Sequence, residues 1–243
     1  MGGSKSIACD TVARKIWDWC IPKNLWLTAV YIPGSTNVIA DSLSRKHHSD
    51  HEWKLNPTVF RKLCHTFENY SIDLFATMLN TQLPRYASWK PDPTDAFVDA
   101  FSVSWVNEYF YAFPPFSVIH KCLDKIEAEQ ADGVLVIPVW PTQTWYTRVL
   151  QRLTPHPKLL LWTATRALLC HPSGNKVHSM AGKLKLMACP LSGNITETRA
   201  FLRMLSLYSS THGDLLHRNN MQYILKNGIF SVVKAKLVHI SPI

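Results

Sequence analysis

The sequence predicts an α/β protein: a short helix–strand–helix segment, then a doubly wound, mostly parallel sheet with helices on both faces. Three observations carry this. Residues 134–139 (Val-Leu-Val-Ile-Pro-Val) form an unbroken apolar run, as expected of a strand buried on both faces. Residues 25–32 alternate instead, with Leu25, Leu27, Ala29 and Tyr31 on one face and Trp26, Thr28, Val30 and Ile32 on the other. Between and beyond these segments, apolar residues recur at helical spacing, so helices and strands take turns along the chain.

Taken in order, Cys9, Val12, Ala13, Ile16, Trp17 and Cys20 mark one face of a first helix, which Pro22 stops. The strand at 25–32 ends at Pro33-Gly34, and Ser35 or Thr36 caps a helix whose buried stripe is Ile39, Ala40 and Leu43. Asn37, Asp41 and Arg45 share a different face of that helix, so Asp41 is not a core residue. Residues 47–56 are polar and unpatterned. Their His47, His48, Asp50 and His51 read as a solvated linker, because nothing later in the chain supplies a matching set of metal ligands.

From Pro57 the alternation is regular. Val59, Phe60, Leu63, Cys64 and Phe67 predict a helix, 71–76 a short strand, and 109–113 a second strand ended by Pro114-Pro115. Val118, Ile119, Cys122, Leu123 and Ile126 predict the next helix, ending near Gly133. After the strand at 134–139 come a helix through Trp145, Val149 and Leu153 and a strand at 159–162. Beyond about residue 170 the pattern fades. Residues 184–189 and 229–233 read as short strands, and 196–207 as a helix through Ala200, Phe201, Met204 and Leu205. The expected organisation is therefore a helix–strand–helix piece at 1–46, a linker at 47–55, an α/β domain at 56–165 holding the stable core, and a basic, irregular tail at 166–243.

Composition narrows the function classes. No run of 18 apolar residues exists, so no membrane association is expected, and the N-terminus lacks a hydrophobic signal region. The 6 cysteines are scattered without a C-x-x-C pair, which fits a reduced intracellular protein, cytoplasmic or nuclear, better than a disulfide scaffold or zinc site. The net charge of +9 is unevenly placed. Residues 1–152 hold equal numbers of basic and acidic side chains, whereas 153–243 hold eleven Lys and Arg against two acids, Glu197 and Asp214. A basic tail on a neutral body is the electrostatic footprint of a nucleic-acid partner.

Two stretches resemble known families. Residues 25–45, ending Ala40-Asp41-Ser42-Leu43-Ser44-Arg45, closely resemble the last strand and last helix of retroelement ribonuclease H domains. The resemblance implies that Asp41 is the fourth carboxylate of a two-Mg²⁺ site acting on RNA–DNA hybrids. The family's other three acids come earlier, before this chain starts. Hard Mg²⁺ needs several carboxylate oxygens, so the site is incomplete and the chain is expected to be a fragment of a longer polyprotein.

The second resemblance runs through Asn56-Pro57-Thr58, Asp73-Leu74-Phe75-Ala76, Asn80, Tyr86, Asp99-Ala100-Phe101, Trp105, Phe113-Pro114-Pro115-Phe116-Ser117, the strand at 134–138 and Thr142-Gln143-Thr144-Trp145. In order and spacing this series is similar to phage-type DNA adenine methyltransferases. The likeness implies that Asp73, Phe75, Ala76 and Asp99 line an S-adenosylmethionine site. Pro114, Pro115 and Phe116 would then face a target base rotated out of the duplex, with Phe116 stacked on it. One departure stands out. Where the family has Asn or Asp before Pro-Pro, to accept a hydrogen bond from the base's amino group, this chain has Phe113, which accepts nothing.

Ribonuclease H end followed by methyltransferase-like domain is the order found in DIRS-type retroelement polyproteins. Three readings stay open: a truncated retroelement product without self-sufficient catalysis, with nucleic acid and the rest of the polyprotein as partners; a methyltransferase-class enzyme or cofactor-binding domain; and a nucleic-acid-binding module that works through its basic tail.

Overall fold

The computed structural model describes residues 6–28, 52–67, 70–91, 97–161, 167–174, 176–207 and 226–243. The chain divides into two compact units, Met1–His48 and Ser49–Ile243. In the first, α1 spans Ile7–Cys20 and a 3₁₀ turn, Ile21–Lys23, follows it. Asn24, in the left-handed region, ends that turn. The expected helix is present, and its apolar face is mostly exposed. Of its residues only Cys20 is buried, while Val12, Ile16 and Trp17 are exposed. Residues 25–28, expected as strand, pair with no other strand among the described residues. The rest of that strand and the helix bearing Asp41 lie outside the described residues.

The second unit is built on a seven-stranded sheet. Its elements are β1 (Lys54–Leu55), α2 (Pro57–Phe67), β2 (Ile72–Asp73), β3 (Ala87–Ser88), β4 (Phe97–Val98), β5 (Tyr109–Ala112), α3 (Ile119–Glu129), β6 (Asp132–Pro138), α4 (Thr144–Gln151), β7 (Lys158–Leu161), β8 (Leu169–Cys170), β9 (Lys185–Ser192), α5 (Ile195–Met204), β10 (Ile229–Val233) and β11 (Lys236–Pro242). The order across the sheet is β10-β11-β7-β9-β6-β5-β2, while β1 pairs β8 and β3 pairs β4 in small separate ladders. Strands β2, β5, β6, β7 and β11 run one way, and β9 and β10 run against them.

The predicted α/β class holds, with a mixed central sheet where a mostly parallel one was expected. The residues that make it mixed are those expected to be an irregular tail. β9 lies between β6 and β7, pairing with β6 from Asp132↔Ser192 to Pro138↔Leu186. The β10–β11 hairpin then extends the sheet beyond β7. A core ending at 165 is therefore corrected: the sheet closes only through residues that follow it. The tail's basic composition hid this, because the charges described there are exposed or half-buried while Leu186, Met187, Ala188 and Cys189 are fully buried.

Burial follows the pleat. Leu135 and Ile137 of β6 face one way and pack with Ile119, Cys122, Leu123 and Ile126 of α3 and Val149 and Leu150 of α4. Val134 and Val136 face the other way, toward Val59, Phe60 and Leu63 of α2. Helices thus cover both faces, which is why β6 is apolar without alternation. Gly133 is needed at its start, since a Cβ there would lie 2.4 Å from the Phe110 carbonyl oxygen. On α5 the buried side chains are Thr198 and Phe201, followed by Leu205, whereas Met204, expected in the stripe, is exposed.

Candidate functional site

In open α/β sheets ligands bind beyond the carboxyl ends of the strands. Here β2, β5 and β6 are adjacent and parallel, so their carboxyl ends share one end of the sheet. Asp73 ends β2 opposite Tyr111, Phe113 follows β5, and Trp140 follows β6 by two residues. Pro114 and Pro115 have no N–H to offer a ladder, which stops β5 there. The chain then turns through a 3₁₀ segment, Phe116–Val118.

Asp73 is 2% exposed. Its Oδ2 accepts from the Gln82 amide at 3.1 Å, and its own amide donates to the Arg85 carbonyl at 3.0 Å. Burial pushes its carboxyl up to about 7, against the opposing pull of the Gln82 and Phe75 amides and of Lys54. Its cross-strand neighbour Tyr111 is driven well above the usual phenol range, first by burial and then by Asp73, Tyr70 and Cys64. Behind Tyr111, the Tyr70 ring lies 5.5 Å away, and its buried hydroxyl finds no hydrogen-bond partner among the described residues.

The loop after Asp73 is tied back to the protein. Phe75 meets Phe101 edge-on at 5.6 Å, and the buried Ala76 donates its amide to the Ala87 carbonyl at 3.1 Å. Asn80 closes the turn, its Oδ1 accepting from the Thr77 amide at 2.7 Å. On the far side of β3, the Asp99 amide donates to the Ser88 carbonyl at 2.7 Å. Asp99 sits at φ 59°, a conformation Asp tolerates better than most, and its Oδ1 accepts from the Phe101 amide at 3.0 Å. It is an exposed turn residue.

At the end of β5 the environment is aromatic. Phe113 is half-buried with its ring 6.4 Å from that of Phe116. Phe116 in turn lies edge-on to Trp140 at 5.1 Å. Pro114 is buried and Pro115 exposed. These rings offer faces and edges for contact with a planar group, but no side-chain acceptor.

The structure thus brings Asp73, Phe75 and Ala76 to the same end of the sheet as Phe113, Pro114, Pro115 and Phe116, with Asp99 joined to Ala76 through β3. Asp41 lies outside the described residues, and no group of three metal-ligating side chains occurs among those described. Trp140 escaped the sequence reading. Its signal was position, just past the end of the most apolar strand and beside the Pro-Pro turn.

The acids expected to hold S-adenosylmethionine do not fit that task. The Asp73 carboxylate is buried and turned to main-chain amides, and that of Asp99 caps its own turn. Nor does the loop from Leu74 to Pro91 contain a glycine that would let a cofactor approach its backbone closely. No protein-family model matches the chain, and no curated protein matches it. Among the described residues no helix is long and apolar enough to cross a membrane.

Proposed function

We propose that this chain is a product of a DIRS-type retroelement polyprotein, associated with nucleic acid inside the cell and without self-sufficient catalysis. Its second unit keeps a methyltransferase-class scaffold as structure. The observation that carries this reading is Phe113 at the carboxyl end of β5. Where the resemblance calls for a hydrogen-bond acceptor on the target amine, there is a half-buried ring packed toward Phe116. Losing one such polar group from a dry site costs on the order of 10²–10³ in rate, judged from oxyanion-hole deletions. The internal use of Asp73 supports the same conclusion for the cofactor half.

The second reading is an S-adenosylmethionine-dependent adenine methyltransferase. It is favoured by the fact that Asp73 and the Phe113–Ser117 motif fall at the carboxyl ends of neighbouring parallel strands. Calorimetric titration with S-adenosylmethionine, together with transfer of a labelled methyl group to duplex DNA, separates the two. The expected outcome is no detectable transfer by the native chain and weak or absent cofactor binding, unchanged by Asp73→Ala. Robust native transfer would overturn the proposal. Transfer appearing only in Phe113→Asn would locate the defect at that ring and leave the cofactor half intact.

A further inference from the structure

The cations of the C-terminal third are spread along the sequence, but the fold gathers several of them. Arg199 and Arg203 stand four residues apart on α5, so they share a face, and both are exposed. The opposite face, through Thr198 and Phe201, is buried. The helix ends against the hairpin. The Lys236 ammonium donates to the Leu205 carbonyl at 2.8 Å, the Leu237 amide donates to the Ser206 carbonyl at 2.9 Å, and Leu207 pairs with Lys236. The two-residue turn Lys234-Ala235, at φ 47° and 59°, holds an exposed Lys234 beside this helix end.

Register fixes where this surface lies. Ser241 pairs with Lys158, so β11 runs five residues past the amino end of β7 before it reaches Lys236. α5 likewise follows Ser192, which pairs with Asp132 at the amino end of β6. Arg199, Arg203 and Lys234 therefore sit at the amino-terminal end of the sheet, opposite Asp73 and Phe113. Among the described residues none of the three forms an ion pair, and the nearby Glu197 is held by Asn194 at 3.4 Å.

We infer that this α5–hairpin surface binds the sugar–phosphate backbone of double-stranded nucleic acid without reading its sequence. The inference deepens the nucleic-acid association proposed above and rests on it. The charge is complementary and scarcely offset locally, and the planar guanidinium fork suits phosphate oxygens. An anionic lipid surface is the lesser fit. An amphipathic helix docks on a bilayer through its apolar face, and on α5 that face is committed to Phe201 and the core. The exposed large apolar side chains described on and beside it are Ile195, Met204, Leu207 and Val232, scattered singly among polar residues.

The test is fluorescence anisotropy of a labelled short random-sequence duplex, titrated with the full chain over a salt series. It compares the native protein, the triple variant Arg199→Gln/Arg203→Gln/Lys234→Gln, and a charge-matched control, Lys15→Gln/Arg61→Gln/Lys121→Gln. Counterion release of about 0.9 per neutralised phosphate predicts that the triple variant loses on the order of 10²-fold in affinity near 0.1 M salt. Its log–log salt slope should fall by about 2–3, and the control should change little. Equal losses in both variants would overturn the inference. So would a triple variant that keeps its duplex affinity while losing binding to phosphatidylserine vesicles, or one that only aggregates more. A native chain that binds no duplex at all would sink both this inference and the nucleic-acid association. Native binding untouched by the triple variant sinks the inference alone.

Discussion

Helices α1 and α3 carry the same apolar spacing and meet different fates. In α1 the face through Val12, Ile16 and Trp17 is exposed, at 57%, 46% and 37%. In α3 the matching face through Ile119, Cys122, Leu123 and Ile126 is fully buried. Periodicity therefore predicts which face of a helix is apolar but not what lies against it. For α3 the cover is β6, whose Leu135 and Ile137 point at it, flanked by β5 and β9. Long-range strand pairing turns an amphipathic pattern into a core.

Truncations on the two helices should separate this claim from simple hydrophobicity. Ile126→Ala removes a buried side chain from a packed cluster and is expected to cost roughly 2–5 kcal/mol of unfolding free energy in a urea titration. A cost under about 1 kcal/mol would mean that α3 is far more loosely packed than its burial implies.

A middling effect is expected at Asp73, where the same burial acts on a charge. Its carboxyl, near 3.8 when exposed, is pushed up to about 7 in the fold. The folded chain therefore binds that proton more tightly than the unfolded chain does. This group's contribution to stability is fully present below about pH 4, falls as the pH rises toward 7, and is flat above that. Asp73→Asn should flatten the slope of the urea midpoint between those limits, with a gain at pH 8 on the order of a few kcal/mol. An unchanged slope would show that Asp73 is better solvated than its surroundings suggest.

The smallest effect belongs to Ile16→Ala. An exposed position should shift stability by no more than about 0.5 kcal/mol. A loss comparable to that of Ile126→Ala would erase the distinction between the two helices.

What could be read in advance follows the same division. α2, α3, α4 and the strand through 134–138 were plain in the sequence, because each pattern is local and complete within one element. The Pro-Pro turn was equally plain, since proline enforces it whatever lies nearby. β9 was visible only as a short strand, because its meaning comes from β6, more than forty residues earlier, and its Pro190 argues against a central position. At the candidate site, the short strand that carries Asp73 was foreseen. The direction its carboxylate takes was not, because the amides that claim it belong to Gln82 and Phe75, and a main-chain partner leaves no trace in residue identity.

The antiparallel insertion of β9 has a consequence for the order in which the protein is made. Both of its neighbours are synthesised first, and at roughly 5–20 residues per second they wait for residues 185–192, β6 with one ladder edge open and β7 with both. β6 waits with a side chain row of Val134, Leu135, Val136 and Ile137, the kind of edge that recruits strands from other molecules. Sheet closure is thus a late event, set by the ribosome's progress past Ser192. A chain stopped after Thr165 should leave that edge open for good. Expressed beside the full chain, it is expected to partition into the insoluble fraction, and a soluble, monomeric product of that length would show that β5, β6 and their helices close a core without β9.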